Sequence, residues 1–326
     1  MKLTVQKKHW PLREPFVISR ATYTTSDVII VELQDGNLLG RGEAAGVDYH
    51  GETLDSMVAQ VESVRSRIEA GVTRSELLQL LPIGGARNAL DSALWDLEAK
   101  RCGRRAWDLA GVGNTREIAS AITIGIRSIE AYEKAARERA HYRWLKIKVS
   151  GEQPLQCIEA VRRGAPNSRL IVDANQAWDV PTLYSIAPKL AQLRVDLLEQ
   201  PVPVGGDEEL VVGRSPIPVC ADEAIDTIAD LQRLKSRYEF VNIKLDKTGG
   251  LTAALELAHA AREAGMRLMV GCMVTGSLGM APGMVLAQLC EVVDLDGPLL
   301  QAEDWPNPIQ YDKTGVMAWP SPALWG

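Results

Sequence analysis

The sequence predicts an α/β protein in which a closed (β/α) barrel follows a smaller α+β domain. Two observations lead to this prediction. Between about residues 117 and 298, eight short apolar runs alternate with helix-like segments, which is typical of parallel strands joined by crossover helices. Charged or polar side chains close most of these runs, as expected where the C-terminal ends of barrel strands meet at one mouth.

The composition is that of a soluble globular chain. Of its 326 residues, 46% are hydrophobic and 24% are charged, and the formal net charge is −6. The composition is therefore that of a folded globular protein. The net negative charge gives no sign of the basic surface that a nucleic acid or an anionic membrane would require as partner. The five cysteines are scattered without a C-x-x-C pair, which argues against a disulfide framework or a zinc ribbon. The N-terminus lacks an apolar signal-peptide core, so we expect a cytoplasmic protein.

Residues 1–114 are expected to form the α+β domain. Two β-rich stretches, 27–33 and 38–43, flank a turn sequence and predict a hairpin. Segments 53–70 and 87–100 then show the apolar spacing of helices. The barrel would take residues 115–298. The Pro- and Trp-rich segment 299–326 shows no clear helical pattern and would return to the first domain.

Eight apolar runs give the predicted barrel strands. They are 118–124, 144–149, 169–173, 195–199, 217–222, 240–244, 267–271 and 291–294. Helical segments such as 129–142, 155–163 and 251–265 separate them. No G-x-G-x-x-G follows any strand, which disfavours a doubly wound nucleotide-binding sheet. The uncharged stretch 268–290 is long enough to span a membrane, but its glycines and proline favour a buried strand followed by a buried helix.

Acidic residues end three consecutive predicted strands: Asp173, Glu199 and Asp222. Neighbouring strands lie about 4.8 Å apart, so the three carboxylates can approach one another, and their repulsion requires a cation. Ligation by oxygen alone favours a hard divalent ion, of which Mg²⁺ is the most plausible. None of the four histidines ends a barrel strand, which argues against zinc.

Lysines end the strands on either side of these acids. Lys148 ends the second run and Lys244 the sixth, so they would flank a substrate held on the metal. Lys146 lies two residues before Lys148 and shares its face of the strand. Its charge, with that of the metal, would lower the pKa of Lys148, and a lysine acts as a base only when it is neutral. Lys146 could also bind a substrate carboxylate.

The motifs that carry these residues resemble those of the enolase superfamily, in its muconate-lactonising subgroup, and within it most closely the dipeptide epimerases. The matching motifs are Lys146-Ile147-Lys148, Asp173-Ala174-Asn175, Glu199-Gln200-Pro201, Ala221-Asp222-Glu223, Asn242-Ile243-Lys244-Leu245-Asp246 and Asp294-Leu295-Asp296. The resemblance covers the whole chain. It implies a modified TIM (β/α)7β barrel with an N-terminal α+β capping domain and one Mg²⁺ per subunit. It further implies an isomerase that epimerises dipeptides of the L-Ala-D/L-Glu type in the metabolism of murein peptides.

The resemblance also implies a role for individual residues. Asp173, Glu199 and Asp222 would hold Mg²⁺, and Lys148 with Lys244 would serve as acid and base on the two faces of the α-carbon. The other site residues are expected to bind the substrate or to support these groups: Asp294 and Asp296 for its ammonium, Lys146 for its carboxylate, Thr123, Cys272, Met273 and Val274 as pocket lining, Arg20 of the capping loop for a Glu side chain, and Asn175, Glu223 and Asp246 as supporting residues.

Two other classes of function stay open. One is a different reaction of the same superfamily, of the o-succinylbenzoate synthase or cycloisomerase type. Such a reaction needs only one base, and Asp294 with Asp296 suits an ammonium better than a purely anionic substrate. The other is a barrel that binds a metal or an amino acid without catalysis, which gives no reason for lysines on both faces. A homo-oligomer also stays open, because the sequence does not decide the oligomeric state.

Overall fold

A three-stranded antiparallel sheet and its helices form the N-terminal part of the computed structural model, which describes residues 1–18, 21–112 and 115–326. In sheet order its strands are β1 (Lys2–Val17), β2 (Thr22–Asp35) and β3 (Leu38–Ala45). Its helices are α1 (Leu54–Ser63), α2 (Arg65–Ala70), α3 (Arg74–Leu80), α4 (Gly85–Cys102) and α5 (Ala106–Leu109), with a 3-10 turn at Asp48–His50. Helix α4 packs directly on β3, because a Cβ at Gly42 would lie 2.0 Å from the Ala89 carbonyl oxygen.

This part confirms the predicted hairpin and modifies two other details. The sequence analysis did not predict strand β1. Only Leu3 and Trp10 of its sixteen residues are buried, so this edge strand lacks the alternation of apolar and polar residues by which a strand is recognised. The single predicted helix 53–70 is divided at Val64, whose φ of −109° and ψ of 5° end α1 and precede α2.

Eight parallel strands form the second sheet, in the order of the chain. They are β5 (Ile122–Ile124), β6 (Trp144–Lys148), β7 (Arg169–Asp173), β8 (Val195–Glu199), β9 (Val219–Ala221), β10 (Phe240–Lys244), β11 (Arg267–Gly271) and β12 (Val292–Val293). The Ala121 amide, next to β5, donates to the Val293 carbonyl of β12 at 2.7 Å. This bond joins the two edges of the sheet, and the predicted barrel is confirmed.

Helices cover the outside of this barrel. They are α6 (Ile129–Glu138), α7 (Pro154–Gly164), α8 (Val180–Gln192), α9 (Leu231–Leu234), α10 (Leu245–Thr248), α11 (Leu251–Glu263), α12 (Ser277–Ala287) and α13 (Gly297–Leu300), with a 3-10 turn at Ile228–Asp230. The connection between β8 and β9, which the structure describes completely, contains no helix, because prolines and paired glycines interrupt residues 201–218. Strand β11 followed by α12 confirms the interpretation of residues 268–290. None of the helices in the described residues combines the length and hydropathy that a bilayer crossing requires.

The C-terminal segment packs against both parts of the chain. The predicted first run, 118–124, is split, because β4 (Ile118–Ala119) pairs with β13 (Val316–Met317) instead of joining the barrel. The Ala302 amide donates to the Pro11 carbonyl at 2.7 Å. The Gly326 amide donates to Asp96 Oδ1 at 2.7 Å. These contacts place Ala302 beside β1 and Gly326 beside α4, so the two ends of the segment return to the N-terminal part as the sequence predicts.

Candidate active site

The C-terminal ends of the barrel strands bring the predicted site residues to one mouth. In the parallel register, Lys148 lies beside Asp173 and Asp173 beside Glu199. A cavity of about 540 Å³ lies over this mouth. Ten of the predicted residues line it: Thr123, Lys146, Lys148, Asn175, Lys244, Cys272, Met273, Val274, Asp294 and Asp296. Fully buried beside these lining residues are Asp173, Glu199 and Asp222.

The two lysines predicted as bases are bonded to the outer two acids of the three. Lys148 Nζ donates to Asp173 Oδ2 at 2.6 Å and to Asn175 Oδ1 at 3.1 Å. Lys244 Nζ donates to Asp222 Oδ2 at 2.7 Å. Because Lys148 belongs to β6 and Lys244 to β10, the ammonium groups approach the cavity from either side of β7, β8 and β9.

Lys146 lies between the acids. Its Nζ donates to Glu199 Oε1 and to Asp294 Oδ2, both at 2.8 Å, and lies 3.2 Å from Asp173 Oδ2. Burial lowers the pKa of Lys146, but the surrounding carboxylates, led by Asp294, outweigh burial and raise it well above its usual value. Lys146 is therefore a fixed positive charge at the centre of the mouth.

The three acids have the chemistry of a divalent metal site, although lysines bind them in this structure. Among the described residues, no three His, Cys, Asp or Glu side chains are grouped as metal ligands. Glu199 Oε2 is buried and accepts no hydrogen bond of good geometry from any residue that the structure describes, even though Lys146 Nζ lies 2.8 Å away. Burial and the Asp173 carboxylate raise the pKa of Glu199 to about 8. A hard cation would relieve this repulsion, so the donor set fits Mg²⁺.

Asp294 and Asp296 differ in their partners. Asp294 contacts the Lys146 ammonium, an ion pair that the sequence argument did not predict. Its Oδ1 is buried without a hydrogen bond among the described residues. Asp296 Oδ2 accepts a hydrogen bond from the Thr123 amide at 2.7 Å. Burial and the neighbouring Asp294 raise the pKa of Asp296 to about 7. A cationic group of a ligand would stabilise this pair.

The three supporting residues divide into two groups. Asn175 lies at the site, because it accepts from Lys148 and its Nδ2 donates to Glu223 Oε1 at 3.3 Å. Asp246 instead faces the N-terminal part, where it accepts from the Ala45 amide at 3.1 Å and from Asn88 Nδ2 at 3.0 Å. Asp246 therefore supports the contact between the two parts of the chain. The predicted substrate residue Arg20 lies outside the described residues.

The sequence argument assigned no role to two buried residues near the acids. Lys247 is fully buried, and its Nζ donates to Asp222 Oδ1 at 2.8 Å and to the carbonyls of Ile225, at 2.9 Å, and Asp222. Asn242 Nδ2 donates to Glu199 Oε1 at 2.9 Å. The spacing of Asn242, two residues before Lys244 on the same face of β10, could have revealed it. The position of Lys247, in the helix after the strand, carried no such signal.

Comparison with known proteins places most of the chain in one family. Residues 1–111 match the mandelate racemase/muconate lactonizing enzyme N-terminal domain, and residues 130–312 match the enolase C-terminal domain-like family. The chain belongs to the enolase superfamily. The resemblance stated from its motifs is thus confirmed, together with the fold class.

Relatives and solved structures similar to this chain are named for epimerases and a racemase. An L-Ala-D/L-Glu epimerase of Escherichia coli (strain K12) is 40% identical over 94% of this chain and 96% of its own. An N-acetyl-D-glutamate racemase of Pseudoalteromonas sp is 39% identical over 92% and 95%. The crystal structure of an enolase family member from Agrobacterium tumefaciens with homology to dipeptide epimerases, with bound sodium and L-Ala-L-Glu, is 39% identical over 99% of both chains and has a TM-score of 0.96. A dipeptide epimerase of Enterococcus faecalis V583, complexed with Mg and L-Leu-L-Tyr, is 25% identical over 98% and 96%, with a TM-score of 0.91.

Proposed function

We propose that this protein is a Mg²⁺-dependent dipeptide epimerase that inverts the α-carbon next to the substrate's C-terminal carboxylate. The observation that carries the proposal is the placement of Lys148 and Lys244 on β6 and β10, either side of three buried carboxylates, with both lysines lining one cavity. The similarity to epimerases of the L-Ala-D/L-Glu type supports the same reaction class. Asp173, Glu199 and Asp222 would hold one Mg²⁺ in each subunit.

The lysines would move the α-proton. When bound, Mg²⁺ supplies positive charge to the substrate carboxylate, where negative charge develops as the α-proton leaves. Lys148 Nζ and Lys244 Nζ lie on opposite sides, so one removes a proton from one face of the α-carbon and the other donates a proton to the opposite face. Exchange of these roles interconverts the two epimers, which a single base on one face does not achieve.

The remaining charged residues would orient the substrate. Lys146 would add a fixed positive charge near the substrate carboxylate. Asp294 and Asp296 would bind the substrate's N-terminal ammonium. Lys146 neutralises only Asp294 of this pair, so the ammonium would supply the second positive charge. Thr123 and residues 272–274 line the cavity and would contact the substrate. Pairing of Arg20 with the side chain of a substrate Glu stays a prediction, as do the cytoplasmic location, a homo-oligomer and a role in the metabolism of murein peptides.

Racemisation of an N-acylated amino acid is the second candidate. The similarity to an N-acetyl-D-glutamate racemase at 39% identity favours it, and it would use the same two lysines. Its substrate carries no ammonium, however, and leaves Asp296 without a cationic partner. The synthase and cycloisomerase types are less well supported, because they leave one of the two lysines without a role.

One assay separates these candidates. We expect L-Ala-L-Glu in D₂O to exchange its Glu α-proton and to form the other epimer, which NMR and chiral chromatography detect. EDTA should abolish both signals, and added Mg²⁺ should restore them. Full activity of a metal-free preparation would contradict the metal assignment. Faster turnover of N-acetyl-L-Glu than of L-Ala-L-Glu would instead assign the second candidate.

A further inference from the structure

A second cavity, of about 250 Å³, adjoins the active-site cavity. The two share Phe16, Thr123 and Leu300 in their walls. The second cavity lies where the end of β1 meets the loop after β5, and the Ile126 amide of this loop donates to the Val17 carbonyl at 2.9 Å. Nothing in the proposed reaction accounts for this second space.

The lining of the second cavity carries excess positive charge. It contains three arginines, Arg13, Arg127 and Arg139, and one acid, Glu14. Glu14 Oε1 lies 3.4 Å from Arg127 Nη2 and 4.0 Å from Arg139 Nη2, and 58% of its side chain is exposed. Exposed ion pairs of this kind contribute little to stability. A carboxylate of a ligand can therefore replace Glu14 as their partner at small cost.

The arginines keep donors for such a ligand. A guanidinium has five N–H groups. Arg127 uses Nε for the Gly125 carbonyl at 3.1 Å and one Nη2 hydrogen for Glu14. Arg139 Nη1 donates to the Ala135 carbonyl at 3.2 Å. These bonds fix the side chains against the backbone, and Arg139 Nη1 also lies 3.7 Å from the exposed Glu138. Within the part of the chain that the structure describes, N–H groups of both arginines remain without a hydrogen bond, which suits bidentate binding of a carboxylate.

The position of Thr123 relates the second cavity to the substrate. Its amide is bonded to Asp296, which in the proposed function binds the ammonium of the first residue of the dipeptide. The side chain of that residue extends from the same α-carbon as the ammonium. It therefore begins next to Thr123, at the boundary between the two cavities.

We propose that the second cavity binds the side chain of the substrate's first residue and favours a carboxylate there. This inference rests on the proposed function. If the cavity has this preference, dipeptides that begin with Asp or Glu are better substrates than those that begin with Asn or Gln. The comparison of L-Asp-L-Glu with L-Asn-L-Glu tests it directly, because the two differ in charge and hardly in size.

The measurement is the ratio of kcat/KM for L-Asp-L-Glu to kcat/KM for L-Asn-L-Glu. We expect a ratio of about ten or more in the unmodified protein, which is the factor given by about 1.4 kcal/mol of charge-assisted binding. The ratio should fall as salt concentration rises, because the arginines are partly exposed. Arg127→Gln together with Arg139→Gln should reduce it to about one. Glu14→Gln should increase it, since it removes the competing carboxylate.

Arg137→Gln is the matched control. Arg137 lies near the end of α6, two residues before Arg139, but it pairs with Glu133 and does not line the cavity. The ratio in this variant should therefore equal that in the unmodified protein. A ratio of one or less in the unmodified protein, or an equal ratio in the arginine variants, overturns the inference. L-Ala-L-Glu is assayed in parallel. If L-Ala-L-Glu is epimerised but the ratio is one, only this inference fails, whereas loss of all dipeptide turnover in the unmodified protein refutes the proposed function.

Discussion

Two sets of buried ionisable side chains in this protein differ in what they face. At the barrel mouth, Asp173 and Asp222 bind lysine ammonium groups next to a cavity.

Between the two parts of the chain, Glu43 and Asp91 bind indole, hydroxyl and backbone N–H groups, which keep their protons at ordinary pH. Glu43 accepts from the indole N–H groups of Trp10, at 2.8 Å, and Trp305, at 2.7 Å, and from the amides of Gly276, at 3.0 Å, and Gly279, at 3.2 Å.

The second set joins the N-terminal part to the barrel. Glu43 of β3 binds the start of α12, while Asp91 of α4 binds the start of α11 through the Thr252 amide, at 3.0 Å, and the Thr252 hydroxyl, at 2.6 Å. Burial raises the pKa of Glu43 and raises that of Asp91 to about 6. A perturbed pKa alone therefore does not identify a catalytic group. Contact with other ionisable side chains and with a cavity is what distinguishes the mouth.

The sharpest test of this comparison is the removal of one lysine of the mouth. Lys148→Ala and Lys244→Ala should each reduce epimerisation by about 10²–10⁴-fold, the scale of general acid–base catalysis. Each variant should still exchange the α-proton of one epimer in D₂O, and the two variants should act on opposite epimers. Lys235→Ala, an exposed lysine, is the control. Interconversion of the epimers by either variant at the normal rate would rule out the two-base mechanism.

The acids at the end of β12 should have the next largest effect. N-acetylation of L-Ala-L-Glu removes the ammonium and should lose about 2–5 kcal/mol of transition-state binding, the range for a broken buried charge pair. Asp296→Asn should weaken turnover of the unmodified dipeptide and leave Mg²⁺ affinity, measured by calorimetry, nearly unchanged. Equal kcat/KM for the acetylated and unmodified dipeptides would exclude Asp296 as an ammonium-binding residue.

Glu43 should affect stability more than chemistry. Glu43→Gln replaces one acceptor oxygen with an NH₂ group that faces an N–H donor, and the free energy of unfolding should fall by about 1.5–3 kcal/mol. Urea denaturation measures this change, with Glu138→Gln, an exposed acid, as the control. The α-proton exchange rate at saturating substrate should change much less than in the lysine variants. A loss of exchange as large as theirs, in a folded protein, would move Glu43 into the catalytic group.

The smallest effect on activity is expected at Asp91, where the response depends on pH. Its pKa is about 6 in the folded protein and about 3.9 in an unfolded chain. The folded state therefore binds more protons between these values, so its stability falls as pH rises from about 4 to about 6. Because asparagine does not titrate, the Asp91→Asn variant should not show this fall in stability. Urea denaturation from pH 4.5 to pH 7 should show the variant gaining stability relative to the unmodified protein, and a constant difference would contradict the assignment.

The residues of the mouth could be found in the sequence because each of them ends a strand. Gaps of 22 to 26 residues separate Lys148, Asp173, Glu199, Asp222 and Lys244, and one β/α unit has this length. The contacts between the two parts could not be found in this way. Glu43 ends a predicted strand without any mark of its partners, which lie up to 262 positions away along the chain.

The sequence by itself determined the fold class, the order of the strands and the inward face of the mouth, because periodicity and strand ends are local properties of the chain. Only the tertiary structure decided which cations each acid binds: Lys146 for Glu199 and Asp294, and Lys247 in addition to Lys244 for Asp222. It also decided that an arginine-lined cavity adjoins Thr123. These pairings join residues from different strands and domains. Their free energy depends on distance and burial in three dimensions, which the spacing of residues along the chain does not specify.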